Sequence, residues 1–328
     1  MPNKENETYT TLDRFLIQRQ RTKPEASGEL TQVILQMGVV AKIISNYMRR
    51  AALEGLLVST GETNVHGETV KKLDRLGNEV FIKAFEYVDI VGALISEENE
   101  QPVTISSGKR RGKYVVLVDP IDGSSNLEVD CVIGSIFSVR SLEGSMEASI
   151  RQKGTRQIAA GYIMYGTATL LIYSAGDGVH SFVLDEQIGE FVLDHANLRM
   201  PGHGKNVSAN FGYYRRWPAF IRSFADHICL EGDEGRSLRY SGALVADMHQ
   251  ILHCGGIYFY PQDDRRPEGK LRLLYECAPL AMIAEQAGGA ATTGTMRVLD
   301  VVPDEIHQRI PFAVGSRSEV QKYQDACC

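Results

Sequence analysis

Apolar residues recur at three- and four-residue steps early in the chain, at Leu30, Val33, Ile34, Met37, Val40, Ala41, Ile44 and Met48. That spacing lines one face of a helix. A rougher stripe of Val70, Leu73, Leu76, Val80 and Ile82 predicts a second helix, and the first ninety residues read as helical. The pattern then changes. Residues 89–95 (DIVGALI) predict a strand ending at Ser96-Glu97-Glu98-Asn99-Glu100, and residues 114–119 predict the next. From 133 to 194 the chain reads as β: Ile158 to Tyr165, Thr167 to Tyr173 and Val179 to Leu184 are short runs punctuated by Gly166, Gly176 and Gly178. Pro201, Gly202 and Gly204 mark a boundary. Beyond it the pattern predicts helices near 217–229 and 241–253, a strand over 256–260, and a helix over 275–287 closed by Gly288-Gly289.

Composition narrows the class. With 328 residues, 43% apolar and 23% charged, the chain is long enough for one large domain or two packed ones. A net charge of −6 recommends neither nucleic acid nor an anionic membrane as a partner. An anionic substrate would need local cations to overcome that charge. The start, MPNKENETYTTLDRF, has no apolar core of a signal peptide, and no run approaches the roughly 18 residues of a spanning helix. A cytoplasmic protein is expected. The six cysteines show neither zinc-ligand spacing nor a Cys-x-x-Cys pair, so reduced and mostly buried thiols are expected.

The segment Val118 to Asn126 (VDPIDGSSN) carries the most chemistry. An apolar run delivers two carboxylates three positions apart, and carboxylates hold hard divalent cations. The Gly-Ser-Ser-Asn turn that follows can aim backbone N–H groups at an anion. Asp-Pro and Asp-Gly are also ordinary turn dipeptides, so the segment gains weight from its company. Glu97 and Glu98 follow one predicted strand as Asp119 and Asp122 follow another, and ligand sites of open α/β sheets gather at such strand ends. Glu276 lies in an apolar stretch (LLYECAP), where an unpaired carboxylate is costly. A metal would relieve that cost, and so would an ion pair with Arg272. Glu68 and Asp74 flank Lys71-Lys72 and taken alone read as a charged helix face. Together these acids suit metal-dependent phosphoryl chemistry.

Four motifs, GETVKKLD (67–74), SEENE (96–100), DPIDGSSN (119–126) and GKLRLLYECAPLA (269–281), resemble those of class 1 fructose-1,6-bisphosphatase. Further matches are Ser27 to Thr31, Arg239-Tyr240-Ser241-Gly242, Tyr260-Pro261 and Ile306 to Arg309, in the family's order and over nearly the whole chain. Related inositol phosphatases place their later metal acid in a Trp-Asp motif. Here the only tryptophan, Trp217, precedes a proline.

The resemblance implies an α/β fold, a layered α-β-α-β-α sandwich of the sugar phosphatase type. Two packed subdomains are expected, about 1–200 and 201–328. It implies hydrolysis of the 1-phosphate of fructose 1,6-bisphosphate, with a broader bisphosphatase acting also on sedoheptulose 1,7-bisphosphate, or an inactive metabolite-binding regulator, as alternatives. Glu97, Asp119, Asp122, Glu276 and the Ile121 carbonyl would bind Mg²⁺, and Glu68 would approach a third ion; two or three ions are expected, with Mn²⁺ able to substitute. Glu98 and Asp74 would orient or deprotonate water. Asp122 and the turn Gly123, Ser124 and Ser125 would cradle the 1-phosphate. Asn210, Tyr213, Tyr240, Tyr260 and Lys270 would hold the sugar and its 6-phosphate, and Arg239 would reach a neighbouring subunit's 6-phosphate in a homotetramer. Gly28, Glu29, Leu30, Thr31, Lys113 and Tyr114 match the family's AMP segment, where Arg140 stands one position early. The chain also departs from the family at Phe211 and Ala278, which are expected to bear on substrate preference. No cysteine lies between Cys131 and Cys229, which argues against thioredoxin-type control.

Overall fold

A computed structural model describes residues 9–24, 26–57, 59–63, 69–86, 88–105, 112–230 and 235–328. Helices α1 (Leu12–Arg21) and α2 (Glu29–Arg50) lead into an antiparallel hairpin of β1 (Ser59–Thr63) and β2 (Thr69–Lys71), then α3 (Lys72–Glu86). The hairpin corrects the reading of the first ninety residues as helical, and the second helix starts at Lys72 rather than at Val70.

An eight-stranded sheet follows. Its strands are β3 (Val91–Ser96), β4 (Val103–Thr104), β5 (Tyr114–Asp122), β6 (Ile133–Ser141), β7 (Ala159–Tyr165), β8 (Thr169–Ser174), β9 (Val179–Asp185) and β10 (Glu190–Leu198). A short helix, α4 (Met146–Ile150), interrupts them. The order is β10-β9-β8-β7-β6-β5-β3-β4, and only β3 and β5 run parallel.

The second half contains β11 (Asn206–Ser208), α5 (Ala219–Leu230), β12 (Ser237–Leu238), α6 (Leu244–Cys254), β13 (Gly256–Tyr260) and β14 (Leu271–Arg272). It ends with α7 (Ala278–Gln286), β15 (Ala290–Thr292), β16 (Arg309–Ile310), β17 (Phe312–Gly315) and α8 (Arg317–Cys327). Five of these strands form a second sheet in the order β12-β11-β13-β17-β15. The helix expected over 275–287 is instead a π-helical turn, Leu273–Cys277, followed by α7.

Period-two alternation sorts the strands into layers. Val116, Val118, Phe137 and Val139 pack against Phe15, Met37, Ile44 and Phe81 of helices α1 to α3. Ile136, Tyr162 and Ile172 face the other way, onto Met248 and Ile251 of α6 and Leu280 and Ile283 of α7. Tyr258, Phe312 and Val314 cover those helices from the second sheet. Ile257 and Phe259, one position off, meet Ile221 and Phe224 of α5 and Val320 and Tyr323 of α8. The stack is helix, sheet, helix, sheet, helix, as the resemblance implies. Each buried Ile or Phe contributes about 1.5–3 kcal/mol by leaving water.

All six thiols are free, yet only Cys277 is buried. Cys131, Cys254 and Cys328 are exposed, because they sit after a surface turn, at the end of α6 and at the chain end. The expectation of mostly buried thiols is corrected on this point.

Candidate active site

The parallel pairing of β3 and β5 aligns Ser96 with Val118, and the Glu97 N–H donates to the Val118 carbonyl at 3.0 Å. Glu97 and Asp119 therefore leave adjacent strands side by side. Asp119 and Asp122 would point to opposite faces of a regular strand. A bulge prevents this: Asp119 lies opposite Ile136 and Asp122 opposite Gly134, three steps against two. Pro120, which has no N–H to donate, occupies the bulge. The Ile121 N–H turns back onto Asp119 Oδ1 at 3.1 Å, and Ser135 Oγ donates to the Pro120 carbonyl at 2.6 Å. Gly77 of α3 admits this bend, since a Cβ there would lie 2.8 Å from the Ile121 side chain.

The second half completes the site. Glu276 hangs from the π-turn, and its Oε2 accepts the Arg272 N–H at 2.5 Å. The N-terminus of α6 meets Asp122, whose Oδ2 accepts the Val245 N–H at 2.7 Å. Asp74, in the first turn of α3, is buried, and Glu98 is half-buried in the turn after β3.

One cavity of about 410 Å³ collects Asp74, Glu97, Glu98, Asp119, Ile121, Asp122, Gly123, Ser124, Ser125, Tyr240, Tyr260, Lys270 and Glu276. Glu68 lies outside the described residues. Asn210, Tyr213 and Arg239 do not line the cavity. Asn210 caps the short helix Phe211–Arg216 and hydrogen-bonds Tyr240, and the Tyr213 ring stands 6.4 Å from that of Tyr260. Arg239 is exposed. Phe211 packs on Trp217 and Phe259, and Ala278 is buried in α7, so neither departure from the family lines the cavity.

Charge is concentrated here. Burial, then Glu97, Asp122 and Glu276, push the Asp119 carboxyl far above the usual carboxylate range. Burial raises Asp122 to about 7 against the opposing Val245 N–H, and Glu276 rises to about 7 by burial and by Glu97. Arg272 is the counter-ion that sequence reasoning underweighted. The sequence offers it as an ion-pair partner of Glu276, and that contact is present. Its Nη1 pairs more closely with Glu97 Oε1 and stands 3.9 Å from Glu276 Oε2. The signal was the two-residue spacing of Lys270 and Arg272, which places both on one side of an extended segment. As they stand, no three acidic, histidine or cysteine side chains among the described residues converge closely enough to hold an ion.

A second cavity of about 230 Å³ is lined by Gly28, Leu30, Thr31 and Tyr114, with Arg19, Gln20 and Asp177. Glu29 and Lys113 pair with each other at 2.6 Å.

Known proteins agree with this architecture. The N-terminal domain model of fructose-1-6-bisphosphatase matches residues 10–196, and the C-terminal domain model matches 200–327. A class 1 fructose-1,6-bisphosphatase of Nostoc punctiforme is 45% identical over 96% of this chain and 91% of its own. That of Maridesulfovibrio salexigens is 42% identical over 95% of each. The holo form of Leishmania major fructose-1,6-bisphosphatase superposes with a TM-score of 0.92 at 39% identity, covering 98% of this chain and 99% of that one. Its T-state form gives 0.87 at 38% identity.

Proposed function

Because the chain belongs to the class 1 fructose-1,6-bisphosphatase family, and is thereby a metal-dependent phosphatase that hydrolyses fructose 1,6-bisphosphate, we propose how its own residues divide that work. The observation that carries the reading is the meeting, in one cavity, of buried carboxylates from both halves with the Gly123-Ser124-Ser125 turn.

The donor set suits a hard divalent cation. Mutual repulsion and burial raise the carboxylates' affinity for positive charge, and oxygen ligands are those such ions prefer. Glu97, Asp119, Asp122, Glu276 and the Ile121 carbonyl would hold two or three Mg²⁺, or Mn²⁺ in their place. Glu68 would serve the third. Bound there, the cation supplies Lewis-acid polarisation and lowers the pKa of water. Arg272 stands against Glu97 and Glu276, so loading requires their side chains to rearrange.

Glu98 and Asp74 orient the attacking water or take its proton. Backbone N–H groups of Gly123, Ser124 and Ser125 hold the 1-phosphate. Lys270 and the hydroxyls of Tyr240 and Tyr260 meet the sugar and its 6-phosphate inside the cavity, with Asn210 and Tyr213 supporting the two tyrosines. The exposed Arg239 reaches the same phosphate of a neighbouring subunit in a homotetramer. The second cavity is read as an AMP site. The halves 1–200 and 201–328 act as two subdomains of a cytoplasmic enzyme. No helix among the described residues is long and apolar enough to cross a membrane.

Phosphate release from a panel of sugar and inositol phosphates, with and without Mg²⁺, tests the assignment. Selective, Mg²⁺-dependent turnover of fructose 1,6-bisphosphate is expected. Equal turnover of sedoheptulose 1,7-bisphosphate would move the reading to the broader bisphosphatase.

A further inference from the structure

The backbone of Ser241 is gripped from both halves of the molecule. Asn126, last residue of the phosphate motif, is buried, and its Nδ2 donates to the carbonyls of Val132 and Ser241, each at 3.0 Å. From the other side Asp247, 1% exposed in the first turn of α6, accepts the Ser241 N–H on Oδ1 at 2.9 Å. The Ser241 hydroxyl closes the turn locally, donating to the Ala243 carbonyl at 3.1 Å and accepting the Ala243 N–H at 3.2 Å. Gly123 packs directly on this turn. Its φ is +81°, and a Cβ there would come within 2.5 Å of Ala243 Cβ.

Residues 239–243 are thereby tied to the phosphate turn on one side and to α6 on the other. The same segment carries Tyr240 into the cavity, while Asn126 and Asp247 do not line it. We propose that Asn126 and Asp247 are positioning residues that fix the span between the 1-phosphate turn and Tyr240, and so make the site selective for substrates with two phosphates. The hydrogen bonds onto Ser241, rather than any contact with substrate, are what each residue supplies. The inference rests on the reading of Tyr240 as a 6-phosphate group.

The test compares two substrates at saturating Mg²⁺: fructose 1,6-bisphosphate and p-nitrophenyl phosphate, which has no second phosphate to place. In Asp247→Ala and Asn126→Ala, KM for the bisphosphate should rise about tenfold with kcat within about twofold. Turnover of p-nitrophenyl phosphate should stay within about twofold. Asp247→Asn keeps the acceptor oxygen and should restore the bisphosphate KM. Equal losses on both substrates, or an Asp247→Asn as impaired as the alanine variant, would overturn the proposal. If thermal melting shows that Asp247→Ala is unfolded, Asn126→Ala decides alone. Tyr240→Phe separates the two readings: an unchanged KM there contradicts the role given to Tyr240, whereas a raised KM there with normal Asp247→Ala and Asn126→Ala contradicts the clamp.

Discussion

The two cavities treat charge in opposite ways. In the larger one, Asp119, Asp122 and Glu276 crowd together with Glu97, and burial plus repulsion from neighbouring carboxylates lift the carboxyls of Asp119, Asp122 and Glu276 out of the usual range. Arg272 and Lys270 answer only part of that charge. In the smaller one, the polar groups pair among themselves. Arg19 and Lys23 meet Asp177 at 2.6 and 3.4 Å, and Thr31 Oγ1 donates to Gln20 Oε1 at 3.0 Å; next to the cavity, outside its lining, Lys113 meets Glu29 at 2.6 Å. The first cavity is built to receive positive charge. A ligand of the second must displace interactions already made. Charge left crowded in one cavity and paired off in the other is the physical difference between them.

The largest effect should follow from removing charge where it is most crowded. Asp119→Asn keeps size and hydrogen-bonding shape and deletes one negative charge. Turnover at saturating Mg²⁺ should fall by roughly 10³-fold, the upper range for loss of one transition-state stabilising group. Phosphate release measures it, and near-normal turnover would show that the crowded carboxylates do not serve the metal.

Glu98 tests whether the half-buried acid beside the cluster does chemistry instead of binding. Glu98→Gln should lower kcat by about 10²-fold, the low end for general acid–base groups, because Asp74 shares the role. Equilibrium binding of the bisphosphate should hardly change. A variant that binds poorly yet turns over normally when saturated would reverse the assignment.

Arg239 sharpens the comparison from outside, since it is exposed and lines neither cavity. Arg239→Ala should raise KM about tenfold, near the lower value of a charge-assisted hydrogen bond, with metal binding intact. In mixed oligomers, partners carrying an intact Arg239 should rescue the variant subunit. Absence of rescue would place the residue's action within its own subunit.

Much of this was legible in the chain. The three- and four-residue stripe at Leu30 to Met48 became α2 because one of its faces is buried against a sheet. Glu97, Asp119, Asp122 and the glycine turn stood out because carboxylates and glycine at strand ends carry a chemical meaning that apolar periodicity does not. The hairpin of β1 and β2 was missed because Ser-Thr-Gly-Glu-Thr offers no apolar alternation to read. The bulge at Pro120-Ile121 was invisible for another reason: spacing alone puts Asp119 and Asp122 on opposite faces, and only pairing with β6 reveals the extra residue. Arg272 was seen as a neighbour of Glu276 at four residues, but its closer partner Glu97 is distant in sequence. Local patterns name the groups, and long-range pairing decides which of them meet.

The smallest effect concerns the second cavity. A helix start with free N–H groups and a threonine hydroxyl suits a phosphate, and Gly28, Leu30, Thr31 and Tyr114 do meet around one space. The residue expected to be misplaced is misplaced. Tyr114 lies opposite Ser141, so Arg140, opposite Val115, faces the other side of the sheet. Its side chain is buried there, and Nη1 donates to the carbonyls of Ile150 and Gln152 at 3.1 and 2.8 Å. The cations that line the cavity, Arg19 and Lys23, are held by Asp177, and Lys113, outside the lining, is exposed and held by Glu29. AMP must therefore compete with Glu29 for Lys113 and with Gln20 for Thr31, and gains no contact from Arg140. Inhibition by AMP should be present but weak, in the millimolar range. Lys113→Ala should weaken it by a further two- to fivefold, about what an exposed ion pair is worth, with uninhibited turnover unchanged. Glu29→Gln should act in the opposite direction, because it releases Lys113 for the phosphate. Steady-state inhibition and calorimetry read both variants. Activity flat across millimolar AMP, with no heat of binding in either variant, would mean that the paired groups close the cavity to a nucleotide.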